Sequence, residues 1–269
     1  MAGAAVVLHM APPPPAFTAS DQLAAVRAVC GAAKRGTATD NISTPAETVS
    51  GFVSADGRTL YMELLSASYE VGGVARHAVV FGGHYVEDGT IDSSQGATTE
   101  ICAAVLERRG GKWTPVMREP SLTETGFNGR NPSVALQTIA TDRHVIEITQ
   151  SLWNSGSAMT VVTLYEPEGT GFKEVLSAAT AADDCGAGEK CFRFEGSLAY
   201  APAPAPRDPA AAKDLHLILT GTYRNEAGRI VKIPAGPLVL RLTNGTYAPV
   251  SRTPATQALW KAVQSPWGE

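Results

Sequence analysis

The chain has 269 residues and a formal net charge of −4; 44% of its residues are hydrophobic and 18% are charged. This is the composition of an ordinary globular protein, and the length is sufficient for one large domain with a substantial core. The net charge argues against a nucleic-acid partner, and Lys and Arg never cluster beyond two neighbours, so a polybasic membrane patch is not expected. No apolar run approaches the ~18 residues that span a bilayer.

Residues 1–19 have two interpretations, either a signal segment for export or a disordered tail. The apolar run Gly3–Leu8 is typical of a signal-peptide core, and Thr18-Ala19-Ser20 offers small residues where cleavage can fall. No Lys or Arg precedes the apolar run, however, and the prolines Pro12–Pro15 would break a helix. Both interpretations stay open.

Two short helices are predicted, one near each end of the remaining segment 20–269. The first covers Ser20–Ala33, where Ser20 is a suitable N-cap and apolar residues recur at helical spacing. The second begins at Thr253-Pro254, because proline favours the first position of a helix. The polar stretch Gly36–Pro45, which follows the first helix, is expected to be a loop.

Between the helices, β-prone runs alternate with glycine turns. In three places such a run ends in glycine, and an aromatic residue then leads into the next strand, namely Trp113, Phe172 and Tyr247. Glycine provides the positive φ that tight hairpins require. We therefore predict a single all-β domain over residues 20–269, an antiparallel meander of about three repeated four-stranded units at 50–118, 133–179 and 190–251. Stacked sheets or a sandwich are favoured over a propeller-like arrangement, since three blades are too few for a usual ring.

The chain contains four cysteines, an even number. Cys185 and Cys191 flank a short loop, which predicts a disulfide between them, and Cys30–Cys102 is then the remaining pair. Free or buried thiols are the alternative. A zinc site is disfavoured, because no further soft ligands lie nearby in the sequence. A disulfide-bearing chain belongs in the periplasm or outside the cell.

Sequence motifs for catalysis are missing. The chain has no nucleophile elbow, zinc-protease helix, phosphate-binding loop or EF-hand loop. His77 and His84 share one β-prone run but are an odd number of residues apart, so they should point to opposite faces of a strand. They cannot share a metal ion unless Gly82-Gly83 bend that strand. We predict neither a metal nor a cofactor.

The best candidate for a recognition surface is the loop Thr125–Asn131, which combines two glycines with an aromatic ring, an arginine and two amides. Such loops adapt their hydrogen bonds while aromatic and Arg side chains supply the binding energy. The candidate binding residues are Phe127, Asn128 and Arg130, together with Trp153 at the end of a later strand. In the alternative interpretation, Phe127 is simply tucked under the sheet.

These observations favour an exported β-rich binding module that acts through a protein or glycan surface. No nucleic-acid partner and no transmembrane segment are expected. One alternative is a secreted hydrolase with a dispersed site of Ser, His and carboxylate side chains, and another is a structural component of an envelope assembly. A cleft with converging His and carboxylate groups would favour the hydrolase, whereas an exposed aromatic patch would favour the binding module.

Overall fold

The computed structural model describes residues 16–41, 45–94, 96–125, 130–154, 156–186, 191–201 and 211–266. Antiparallel strands make up most of these ranges, with one short helix near each end. The predicted all-β class is therefore confirmed. Residues 1–15, most of the segment predicted as a signal or a tail, lie outside the described residues.

The first sheet contains seven strands, namely β1 (Ala32–Asp40), β2 (Glu47–Ser54), β3 (Thr59–Val71), β4 (Val74–Glu87), β5 (Thr90–Ile91), β6 (Thr99–Arg109) and β7 (Lys112–Thr125). They follow the order β3-β2-β1-β5-β4-β6-β7 and are antiparallel except for β1 with β5. β3 also pairs with β4, so β4 has a neighbour on each side.

The second sheet contains nine strands, namely β8 (Ser133–Ala140), β9 (Arg143–Asn154), β10 (Ser157–Glu168), β11 (Gly171–Asp183), β12 (Arg193–Tyr200), β13 (Leu215–Arg224), β14 (Ile230–Lys232), β15 (Leu238–Thr243) and β16 (Thr246–Pro249). They run as a meander in the order β16-β15-β13-β12-β11-β10-β9-β8, and β14 is attached to β13. The second and third predicted units are thus parts of one continuous sheet.

The first helix, α1 (Ala19–Cys30), covers one face of the first sheet. It packs Val26 and Val29 against Val79 and Phe81 of β4, and all four side chains are buried. The disulfide between Cys30 and Cys102, whose Cα atoms are 5.8 Å apart, ties the end of α1 to β6. This pairing was predicted from the sequence.

The N-cap of α1 is Thr18, not Ser20 as predicted. The hydroxyl of Thr18 accepts a hydrogen bond from the backbone N–H of Asp21, and the Asp21 carboxylate accepts one from the backbone N–H of Thr18 at 2.9 Å. This reciprocal arrangement satisfies two donors at once, which a serine two residues later cannot do.

The opposite face of the first sheet packs on the second sheet. Val80 and Ile101 lie in one buried cluster with Ile146 and Ile148 of β9. Val79 therefore packs under α1 and Val80 packs between the two sheets, since successive side chains of a strand point to opposite faces. The two sheets are stacked face to face, in agreement with the sequence-based expectation.

The second sheet curls around a core of its own. The helix α2 (Pro254–Gln264), capped by Thr253, buries Leu259, Trp260 and Val263 against it. The edge strand β16 contacts β11, which lies near the middle of the sheet. The ends of β9 and β11 and the starts of β10 and β12 lie side by side and form one rim of this sheet.

The aromatic residues of the three glycine hairpins each occupy the second position of a closing strand. Their surroundings nevertheless differ. Trp113 packs beside α1, Phe172 lies between the two sheets, and Tyr247 is buried in the core with α2. The shared feature is therefore a hairpin geometry, set by the turn, and not a shared packing environment.

The prediction of a loop over Gly36–Pro45 is wrong for its first half, because β1 extends to Asp40. β1 pairs with β2 from Ala32 with Ser54 to Asp40 with Glu47, with one register shift between Ala32 and Lys34. Its main-chain hydrogen bonds hold it in the sheet although most of its side chains are exposed or only half-buried. Sequence patterns that depend on burial do not detect such a strand.

Candidate functional site

Two of the predicted binding residues, Arg130 and Trp153, line the same groove, which has a volume of about 440 Å³. It lies at the rim of the second sheet, where β9 and β11 end and β10 and β12 begin. Strand ends at one rim of a rigid sheet are a common location for binding residues. Phe127 and Asn128 lie outside the described residues, so their part in the site stays a prediction.

Strand register explains why residues that are distant in sequence meet here. Trp153 is opposite Ala158, Met159 is opposite Ala182, and Ala182 is opposite Phe194. All five residues line the groove. Side chains alternate along each strand, so Trp153 and Ala158 lie on one face of the sheet and Met159, Ala182 and Phe194 lie on the other.

Trp153 is the most exposed large hydrophobic residue within the described ranges, with 57% of its surface accessible. A ligand that buries a large apolar side chain typically gains about 1.5–3 kcal/mol of binding free energy, so covering the exposed indole would stabilise a complex substantially. The indole also offers two flat faces and one N–H donor. These properties suit a ligand with both an apolar face and hydrogen-bond acceptors.

Charged side chains of both signs border the groove. Arg193 donates from Nε to Oδ2 of Asp183 at 2.8 Å, and its Nη2 contacts the same oxygen. Hydrogen bonds from Arg193 and from the backbone N–H of Cys185 hold the pKa of Asp183 below its usual value. Asp183 is therefore a carboxylate at neutral pH. Arg130 and Glu195 complete the charged lining.

The rim next to the groove is cross-linked. Cys185 and Cys191 form the predicted short disulfide, with their Cα atoms 4.7 Å apart. Asp184 accepts hydrogen bonds from the hydroxyl of Ser157 at 3.0 Å and from Nη2 of Arg224 at 2.9 Å. These contacts tie the disulfide loop to β10 and β13. A binding surface held in this way loses little conformational entropy when a ligand is bound.

Arg130 is held in place by the first sheet. Its neighbour Asn131 contacts Nε2 of His84 through Oδ1 at 2.7 Å, and His84 is 1% exposed. A side chain at Gly82 would crowd this contact, since a Cβ atom there would lie 3.0 Å from Oδ1 of Asn131. The last two residues of the predicted recognition loop are thus fixed by a contact with the first sheet.

The sequence analysis did not identify Asp183, Arg193 or Glu195 as residues of the site. It placed Asn131 in the recognition loop but did not predict the contact of Asn131 with His84. The nearby cysteine loop was the one available signal for Asp183. Nothing in the local sequence distinguishes Arg193 or Glu195 from other charged residues on a solvent-facing strand. Tertiary structure alone brings β12 next to Trp153.

His77 and His84 point to opposite faces of β4, as their odd spacing predicts: His77 contacts serines of β3, and His84 contacts Asn131. Within the described ranges, no three His, Cys, Asp or Glu side chains gather in a way that could hold a metal ion. In those same ranges, neither helix combines the length and the apolar character needed to cross a membrane.

Comparison with known proteins found no matching family model, no similar curated protein and no similar solved structure. The function is therefore inferred from the chemistry of the groove.

Proposed function

We propose that this protein is an exported binding module whose groove beside Trp153 holds a glycan. The observation that carries the proposal is the exposed indole of Trp153 in a concave groove bordered by carboxylate and guanidinium groups. The proposal makes the rim of the second sheet a recognition surface and requires no cofactor.

The dimensions of the groove favour a glycan over a protein partner. Its volume of about 440 Å³ falls within the ~300–1,000 Å³ typical of sites for small ligands. A stable protein partner usually covers ~800 Å² on each side, with several aromatic anchors at the centre. Trp153 is the single large aromatic side chain among the lining residues that is strongly exposed.

The chemistry of the lining matches a sugar ring, which has apolar C–H faces and a periphery of hydroxyl groups. The indole of Trp153 offers a flat apolar surface for such a face. Asp183 and Glu195 accept hydrogen bonds from hydroxyl groups, and the planar guanidinium of Arg193 donates them in a fixed geometry. Charge-assisted hydrogen bonds of this kind orient a neutral ligand strongly.

The balance of charge in the groove favours a neutral glycan. The positive charges of Arg130 and Arg193 are matched by the negative charges of Asp183 and Glu195. An acidic ligand would gain from the arginines but would be repelled by the carboxylates. Binding of a neutral ligand should also depend weakly on salt, because no net charge is screened.

Export is supported by the two disulfides, Cys30–Cys102 and Cys185–Cys191. Disulfides persist in the periplasm and outside the cell, whereas reductants keep cytosolic thiols reduced. Envelope and extracellular glycans are found in those same compartments, which is consistent with the proposed ligand.

The test is a screen of the full chain against immobilised neutral and acidic glycans, followed by titration calorimetry on the best ligand. We expect Trp153→Ala to lower affinity by about thirtyfold, the loss typical of a central aromatic anchor. The control is Tyr85→Ala, because Tyr85 is an exposed aromatic residue on the first sheet with 47% of its surface accessible. It should bind like the wild type.

Two outcomes would contradict the proposal. If Trp153→Ala and Tyr85→Ala bind a glycan equally well, the groove is not the site. If no glycan binds but a protein partner is lost on the Trp153→Ala change alone, the groove recognises a protein. Circular dichroism of both variants should be unchanged, since each residue is exposed.

A further inference from the structure

A buried histidine of the first sheet lies between two serine hydroxyl groups on the adjacent strand. Nδ1 of His77 is 2.8 Å from Oγ of Ser68, and Nε2 is 2.9 Å from Oγ of Ser66. His77 is 4% exposed, whereas both serines are exposed residues. The register of β3 and β4 places Ser68 directly opposite His77.

Aromatic neighbours fix the imidazole ring. Phe17 stacks on it with ring centroids 3.9 Å apart and an interplanar angle of 15°, and the ring of Trp113 lies 5.6 Å away. A neutral imidazole has one N–H donor and one acceptor nitrogen. One serine must therefore donate its proton to the ring while the other accepts one from it.

The two serines differ in their surroundings. Ser68 borders a cavity of about 200 Å³, and Ser66 is not among its lining residues, which are Ser68, Tyr69, Glu70, Ala75, Arg76 and Trp113. A histidine with a structural role alone needs two hydrogen-bond partners, and both serines supply them. Those hydrogen bonds do not require a cavity beside one of the two hydroxyl groups.

We propose that Ser68 is a nucleophilic serine that His77 activates as a general base, with Ser66 as the positioning residue. In this arrangement Nε2–H of His77 donates to Ser66, which leaves the lone pair on Nδ1 for the hydroxyl proton of Ser68. The reaction class is acyl transfer from a small ester. This activity is independent of the glycan groove, which lies on the second sheet.

Burial lowers the pKa of His77 to about 4, so the ring is neutral at neutral pH and one ring nitrogen has a free lone pair. A base with so low a pKa predicts slow turnover. The cavity is smaller than the ~300 Å³ lower bound for typical ligand sites, which limits the acyl group to a short chain. Arg76 lines the same cavity, and its guanidinium is paired with Glu107, with Nη2 3.7 Å from Oε2.

The chemical step follows from these positions. Oγ of Ser68 forms a bond to the carbonyl carbon of the ester while its proton moves to Nδ1 of His77. The bond to the alcohol oxygen then breaks, and that oxygen leaves with the proton from His77. Water hydrolyses the resulting Ser68 ester by the same proton transfers in reverse, which releases the acid and restores the serine.

The test is covalent labelling of the full chain with a small fluorophosphonate, read by intact-mass and peptide-mapping mass spectrometry. Oγ of Ser68 should form a bond to phosphorus, and fluoride should leave. Ser68→Ala should lose the label, and the control Ser50→Ala, an exposed strand serine of the same sheet, should keep it. Ser66→Ala should slow labelling by about tenfold or more, and Ser66→Thr, which keeps a hydroxyl, should restore it.

Release of p-nitrophenol from p-nitrophenyl acetate should follow the same order among the variants. The proposal is overturned if the folded wild type is not labelled, if the label maps to a serine other than Ser68, or if Ser68→Ala is labelled like Ser50→Ala. Heat-unfolded wild type should react at the background rate, because the reactivity depends on the contact with His77. Thermal melts of all variants identify any that fail to fold.

Discussion

Gly156 and Gly186 make a backbone contact beside the groove that leaves no space for a side chain. A Cβ atom on Gly186 would lie 2.2 Å from the carbonyl oxygen of Gly156. Gly156 belongs to the turn between β9 and β10, next to Trp153, and has a φ of +90°; Gly186 belongs to the disulfide loop. The contact joins the two segments that form the rim of the groove.

Gly186→Ala should therefore disturb the rim. We expect a loss of about 1–3 kcal/mol in the free energy of unfolding, as for other overpacked positions, together with weaker ligand binding. Gly96→Ala is the control, because a Cβ atom at Gly96 meets nothing within 4 Å and its φ is not positive. Urea unfolding and calorimetric titration give both quantities. If the two variants are equally stable, the backbone at Gly156 and Gly186 can move apart without cost, and the prediction is wrong.

The two disulfides should contribute unequally to stability. Cys30 and Cys102 are 72 residues apart in sequence, whereas Cys185 and Cys191 are six apart. Because a crosslink that closes a longer loop restricts the unfolded chain more, removing the first should cost ~4 kcal/mol and removing the second ~2 kcal/mol. The measurement is urea unfolding of the two double Cys→Ala variants, and the reverse order would contradict the prediction.

His77 should make stability depend on pH. Burial lowers the pKa of this histidine to about 4 in the folded protein, against about 6.5 in an unfolded chain. Between those values the unfolded state binds the proton more readily than the folded state. The contribution of His77 to the free energy of unfolding is therefore complete above about pH 6.5, declines as the pH falls, and is lost near pH 4. Between about pH 6.5 and pH 4, the free energy of unfolding should fall by on the order of 3 kcal/mol through His77.

The measurement for His77 is urea unfolding at several pH values for the wild type and for His77→Gln, which cannot titrate. The variant should lose stability less steeply between about pH 6.5 and 4. His144, whose pKa burial also lowers, remains in both proteins and contributes equally to their slopes. Identical slopes would mean that His77 titrates normally in the folded state.

Arg130 and Asn131 are adjacent in sequence but should respond differently to substitution. Asn131→Ala removes the 2.7 Å contact with buried His84, and the loss of such a hydrogen bond costs about 1–3 kcal/mol. Arg130→Ala should leave thermal stability nearly unchanged and weaken only ligand binding, because Arg130 is exposed at the groove. A collapse of stability in Arg130→Ala would show that this side chain has a structural role.

Local patterns in the sequence predicted the all-β class, both terminal helices and the turns that precede Trp113, Phe172 and Tyr247. They succeeded because strand alternation, helix capping and glycine turns depend on residues within a few positions of one another. They failed at β1, where main-chain pairing with β2 compensates for a polar sequence. They also did not show that residues 133–179 and 190–251 share one sheet.

The sequence by itself determined which side chains were available for recognition, namely an arginine in a glycine-rich loop and a tryptophan at a strand end. Only the tertiary structure decided that Arg130 and Trp153 share a groove with Asp183 and Arg193, because strand register and the curl of the second sheet set those distances. The contact of His77 with Ser68 follows from the hairpin of β3 and β4, whose register is set by the short turn at Gly72-Gly73. The groove instead joins strands from several hairpins, and packing across the whole sheet decides how those hairpins lie together.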